Sequence, residues 1–220
     1  MNPQPPDAPS PTRRDDLAAV VRDATISYPS ADMNDDNLLE ATRHFIKTLE
    51  RENIPHVLVG GLAVLQYVAG RNTRDIDLII AVEDLQRLPG FQLDERNEWF
   101  ATGTSGPLRV DLRFTANPLF AQVMVHHSEQ RTFLDARLRC ATPEGIVLLK
   151  LFALPSLYRQ ANIDRAALYE TDILQLLHHH PVDAETLLAT LTPHLSASDI
   201  NALREVLNDI QTRINRLTRC

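Results

Sequence analysis

The chain has 220 residues, 44% hydrophobic and 23% charged, with 22 Lys and Arg against 29 Asp and Glu, for a net charge of −7. That length suits one sizeable domain, or one core with an appended helical module, and the negative balance argues against broad, sequence-independent affinity for nucleic acid. No apolar run approaches the roughly twenty residues that cross a bilayer. The opening Met1-Asn2-Pro3-Gln4-Pro5-Pro6 lacks the charged and apolar stretches of a secretion signal. Two cysteines, Cys140 and Cys220, make neither a disulfide framework nor a metal knuckle. A cytoplasmic protein with no membrane partner is therefore expected.

Six of the 14 prolines fall at Pro3, Pro5, Pro6, Pro9, Pro11 and Pro29, which reads as a flexible arm over 1–34, with a short helix at 16–24. A helix then follows Asp35-Asp36, with Leu38, Leu39, Ala41, Phe45, Ile46 and Leu49 near helical spacing. Pro55 closes it, and a strand is expected at 56–59, a helix at 62–68, a strand through Ile80 and a short helix at 83–87. Further strands are expected at 91–93, 99–102, 108–114 and 132–139, with a helix at 118–125. After Pro143 the pattern is helical, over 144–154, 166–177, 184–191 and 197–217. The expected class is α+β, a small mixed sheet flanked by helices and followed by a helical C-terminal module. Its divisions are 1–34, 35–140 and 141–220.

Two features carry chemistry. The run Val57-Leu58-Val59 ends in Gly60-Gly61, where the absence of a Cβ lets the chain turn sharply and lets a phosphate approach the backbone, with a helix N-terminus facing the same anion. After a spacer of thirteen residues, Asp75-Ile76-Asp77 opens a second apolar run. On a strand Asp75 and Asp77 share one face, about 6.5–7 Å apart, and two such carboxylates suit one or two Mg²⁺ ions. A two-metal site stabilises the attacking and leaving oxygens of an in-line displacement at phosphorus.

Val59, Gly60, Gly61, Asp75 and Asp77 together resemble the nucleotidyltransferase superfamily typified by DNA polymerase β, which also carries a third acid on a later strand. The matching residue is Asp111 in Leu108-Arg109-Val110-Asp111-Leu112-Arg113-Phe114, placed with Arg109 and Arg113 opposite an apolar face of Val110, Leu112 and Phe114. Arg71-x-Thr73-x-Asp75-Ile76-Asp77 and the later Thr142-Pro143-Glu144-Gly145 to Leu151 resemble the branch that contains AbiEii-type and MenT-type toxins. There Lys150, Arg159 or Arg165, and Asp172-Ile173 correspond to a basic and acidic set on successive helices. The usual Lys-Asp pair before Asp-Ile is replaced by Leu168-Tyr169-Glu170-Thr171.

The resemblance implies a Mg²⁺-dependent transfer of a nucleoside monophosphate from an NTP. Asp75, Asp77 and Asp111 would be the metal and catalytic residues, and Gly60, Gly61, Arg71, Thr73 and Lys150 the nucleotide-binding ones. It also implies an RNA acceptor (a tRNA 3′ end) or a protein hydroxyl, in a toxin–antitoxin or phage-defence setting with a cognate antitoxin or toxin as partner. The alternatives are a non-catalytic nucleotide-binding module and an adenylyltransferase acting on a small-molecule antibiotic. From the residues alone, Lys150 either snorkels from an apolar helix or reaches phosphate. Thr73 either donates to phosphate or caps a turn. His178-His179-His180 points in three directions on a helix and reads as a helix end before Pro181, and Cys140 reads as a buried apolar residue. The arginines at 109, 113, 131, 137, 139, 204, 213, 216 and 219 read as solvated faces or as an RNA-binding surface.

Overall fold

The computed structural model describes residues 35–69, 73, 75–88, 90–133 and 136–218; the proline-rich arm with its short helix, and Arg71, lie outside them. Helix α1 (Asp35–Arg51) sets Phe45, Ile46 and Leu49 into the core. The chain then reverses at Asn53, whose φ of 49° is a conformation Asn tolerates better than bulky residues. Strand β1 (His56–Val59) is buried along its whole length.

The helix expected at 62–68 starts earlier and stops sooner. Helix α2 covers Gly60–Val64, and residues 65–68 continue as tight turns. The positive φ of Gly60 begins the turn directly off β1. The Tyr67 hydroxyl is held 2.9 Å from Glu129 Oε1 and 3.0 Å from the Ala141 carbonyl oxygen, which takes the chain off the helical path.

Strand β2 (Asp75–Ile80) leads through a 3₁₀ helix (Val82–Arg87) to β3 (Phe91–Arg96), β4 (Phe100–Ser105) and β5 (Leu108–Phe114). Helix α3 (Pro118–His126) follows, with the Asn117 side chain accepting from the Leu119 N–H. The single strand expected at 132–139 is a hairpin: β6 (Ser128–Phe133) and β7 (Ala136–Ala141) pair antiparallel with Phe133 opposite Ala136. No glycine or Asn-Gly marks the reversal between Phe133 and Ala136, so the sequence hides the turn.

The seven strands form one mixed sheet in the order β3-β4-β5-β2-β1-β7-β6. The pairs β2–β5 and β1–β7 are parallel and the others antiparallel. Four helices follow: α4 (Pro143–Arg159), α5 (Ile163–His179), α6 (Ala184–Leu191) and α7 (Ala197–Leu217). Their N-termini are capped by the side chains of Thr142, Asn162, Asp183 and Ser196, each of which accepts from a backbone N–H. Caps of this kind contribute about 0.5–2 kcal/mol apiece. Gly145 lets the first turn of α4 lie against the end of α3, since a Cβ there would stand 2.7 Å from the His127 carbonyl oxygen. The α+β class with C-terminal helices is as expected. Among the described residues no helix is long and apolar enough to cross a membrane.

Candidate active site

Strand register assembles the acidic face. In the parallel β2–β5 pair, Asp77 stands opposite Asp111 and Asp75 opposite Arg109. Neighbouring strands lie about 4.8 Å apart, so the two aspartates meet side by side. Along β5, Leu108, Val110, Leu112 and Phe114 are buried while Arg109, Asp111 and Arg113 take the other face. Three carboxylates and two guanidiniums therefore occupy one patch at the centre of the sheet.

The charges there are unevenly matched. Arg113 Nη1 donates to Asp77 Oδ1 at 2.8 Å. Burial alone would lower the Arg113 guanidinium, but the charge of Asp77 and its hydrogen bond outweigh that effect and hold it above its ordinary value. Asp111 Oδ1 is buried without a hydrogen-bond partner among the described residues; Arg109 Nε forms an ion pair with it at 3.4 Å. The Asp75 carboxyl is pushed up, first by burial and then by the charges of Asp111 and Asp77, against partial relief from Arg109 and Arg165. Buried carboxylates crowded in this way favour a bound cation. Among the described residues no three such side chains converge closely enough to hold an ion as they stand. The excess acid, the orphaned Asp111 oxygen and the all-oxygen donor set nevertheless fit Mg²⁺.

The glycine pair acts on the site's own residues. Gly60 has φ +66°, and a Cβ built on it would run into the Asp77 carboxylate. A Cβ on Gly61 would stand 2.6 Å from Thr73 Oγ1. Both positions suit glycine because the Asp77 carboxylate and the Thr73 side chain pack onto the bare backbone. That is a tighter constraint than the phosphate approach read from the sequence.

A cavity of about 820 Å³ opens over this face, bounded by β4 and β5 on one side and by α4, α5 and the 193–199 segment on the other. Gly60, Asp111, Arg113 and Lys150 line it. Lys150 is buried, with Nζ 2.8 Å from Asp172 Oδ2, so its charge is already met. Of the two arginines left open by the sequence, Arg159 pairs with Asp199 at 2.8 Å, whereas Arg165 lies within electrostatic reach of Asp75 and Asp77. Tyr169 also lines the cavity; sequence reasoning met it only as a departure from a family pattern. Its signal was helical spacing, since residues 165, 169 and 172 share one face.

The other candidates lie away from this patch. The Cys140 thiol is buried and pushed up to about 12. Helix α5 ends at His179, and His180 packs edge-on against Tyr67. Several of the remaining arginines are neutralised locally, Arg131 by Glu129 and Arg204 by Glu185.

No protein-family model matches the sequence, and no curated protein sequence matches it either. Solved structures resemble the fold. The crystal structure of ANT(2″)-Ia in complex with adenylyl-2″-tobramycin matches with a TM-score of 0.48 and 16% identity, over 76% of this chain and 97% of that one. The solution structure of the antibiotic-resistance factor ANT(2″)-Ia gives 0.48 and 16%, over 84% and 99%. An antigenic nucleotidyltransferase-like protein from Paracoccidioides brasiliensis gives 0.47 and 17%, over 78% and 93%. At that identity nothing of those proteins' substrates passes to this chain.

Proposed function

We propose that the protein is a nucleotidyltransferase that moves a nucleoside monophosphate from an NTP to an acceptor hydroxyl. The observation that carries this reading is the in-register placement of Asp77 beside Asp111, two residues from Asp75, with the Asp77 carboxylate packed onto the bare backbone of Gly60. Asp75, Asp77 and Asp111 would hold Mg²⁺, which when bound neutralises charge on the attacking and leaving oxygens. The acceptor oxygen attacks the α-phosphorus, the bond from that phosphorus to the oxygen bridging to the β-phosphate breaks, and pyrophosphate leaves. Asp111, with a buried oxygen that makes no hydrogen bond among the described residues, orients the hydroxyl and takes its proton. The backbone N–H groups of Gly60 and Gly61 and the Arg165 guanidinium hold the phosphates. Catalysis of this kind rests on positioning and charge neutralisation.

The acceptor we favour is an RNA end or a protein hydroxyl. Of the cations that line the cavity, Arg109, Arg113, Lys150 and Arg159 are met by Asp111, Asp77, Asp172 and Asp199, and Arg165, with no ion pair among the described residues, is the one we assign to an anionic substrate.

The test is incubation with each α-³²P-labelled NTP, Mg²⁺ and either total tRNA or cell lysate, beside an Asp75→Ala/Asp77→Ala control. Label on RNA or protein that vanishes in the control supports the proposal. Nucleotide binding without transfer to any acceptor would favour a non-catalytic binding module.

A further inference from the structure

Helix α5 carries Arg165, Tyr169 and Asp172 at spacings of four and three residues, along the face that closes the cavity opposite β5. Lys150 of α4 reaches into that row. Its Nζ is 2.8 Å from Asp172 Oδ2 and 4.1 Å from the centre of the Tyr169 ring. The Arg165 guanidinium lies 5.8 Å from the centre of the same ring and is hydrogen-bonded to the Tyr169 side chain. One aromatic ring therefore serves two cations with different freedom. Lys150 is only 4% exposed and has a carboxylate on hand, so swinging to a phosphate would break its ion pair with the buried Asp172. Arg165 is exposed, has no ion pair among the described residues, and sits within reach of the charges of Asp75 and Asp77.

We propose that Tyr169 is a positioning residue: its ring pins Lys150 onto Asp172 and steadies Arg165 as the side-chain cation that meets the triphosphate. The inference rests on the nucleotidyl-transfer reading and adds to it the residue that orders its phosphate contact. A free arginine surrenders considerable rotamer freedom when it grips an anion, and a ring face that already carries the guanidinium reduces that loss. The benefit falls on nucleotide binding, because Arg165 meets the phosphates and neither supplies nor takes the acceptor's proton.

The experiment measures KM for Mg-NTP, kcat at saturating nucleotide and the melting temperature in the full chain for Tyr169→Leu, Tyr169→Phe, Arg165→Met and the Tyr169→Leu/Arg165→Met pair. Tyr169→Leu should raise KM about five- to tenfold with kcat within about twofold of wild type. Tyr169→Phe, which keeps the ring beside Lys150 and loses the hydroxyl bonded to Arg165, should hold the melting temperature and raise KM by less than Tyr169→Leu does. Arg165→Met should reproduce the rise in KM, and the double variant should add nothing further. An unchanged KM in Tyr169→Leu, a loss confined to kcat and melting temperature, or full additivity in the double variant would overturn the proposal. If Tyr169→Leu does not fold, an unchanged KM in Arg165→Met, at its exposed position, overturns it. A wild-type chain that binds no NTP would overturn nucleotidyl transfer and this inference together, whereas the variant outcomes bear on the inference alone.

Discussion

Two acid–base pairs, Arg113–Asp77 on the sheet and Lys150–Asp172 between α4 and α5, have the same 2.8 Å separation and opposite meanings. Around Lys150 one cation meets one carboxylate beside an aromatic ring, and the neighbours are apolar residues such as Val147, Leu151 and Ile173. Around Asp77 two further carboxylates crowd in, one of them raised by burial and by its neighbours. A matched pair sealed in a core holds helices in place, whereas an unmatched acidic cluster at a cavity calls for a cation from outside. Separation alone does not distinguish them; the local charge balance does.

The largest way to sharpen this contrast is Lys150→Met. Leaving Asp172 buried without its ammonium should cost about 3–5 kcal/mol, read by denaturant unfolding, and adding Asp172→Leu should recover most of the loss. A variant as stable as wild type would mean that the pair does not hold α4 to α5. On the sheet, Asp77→Asn should cost less stability than Lys150→Met, since its amide oxygen can still accept from Arg113, and should reduce nucleotidyl transfer by more than about a hundredfold where the variant is folded, if Asp77 is the proposed metal ligand. Retained transfer in that variant would remove Asp77 from the metal set.

Gly60→Ala tests how the two halves of the motif meet. A methyl at that positive φ would strain the backbone by about 1–3 kcal/mol and displace the Asp77 carboxylate. Both stability and transfer should fall; a change in stability alone would separate the turn from the site. The smallest expected effect has the opposite sign. Because the fold raises the Asp75 carboxyl, its contribution to stability is fully present below the unfolded value near 4 and is lost as pH rises through the folded one. At neutral pH the ionised group opposes folding of the metal-free protein. Asp75→Asn should thus raise the metal-free melting temperature by about 2–4 °C at pH 7, and the gain should shrink on acidification. A lowered melting temperature would show that Arg109 and Arg165 over-compensate the acid cluster.

The glycine turn and the two acidic positions could be read from the chain because each depends on local rules. Bare backbone is needed where a strand turns sharply, and side chains two apart on a strand share a face. Asp111 was singled out by the family resemblance, and the alternation along Leu108–Phe114, which is also local, gave the face it takes. The limits of helix α2 and the β6–β7 hairpin did not follow. Tyr67 leaves the helical path for partners 62 and 74 residues away, and no glycine or Asn-Gly marks the hairpin's reversal. The choice between Arg159 and Arg165 was likewise hidden, since nothing near either residue reveals that Asp199 will reach one of them.

The sequence by itself determined the element types, the paired acids and the capped C-terminal helices, because those depend on residues a few positions apart. Tertiary structure alone decided that β2 lies beside β5 in the register that sets Asp77 against Asp111, and that Gly60 is glycine to admit the Asp77 carboxylate. It alone decided, too, that Lys150 is held by Asp172 while Arg165 remains open to the cavity. These are outcomes of packing between segments far apart in the chain, where the energy of an arrangement depends on which partners arrive together and on how closely their charges balance.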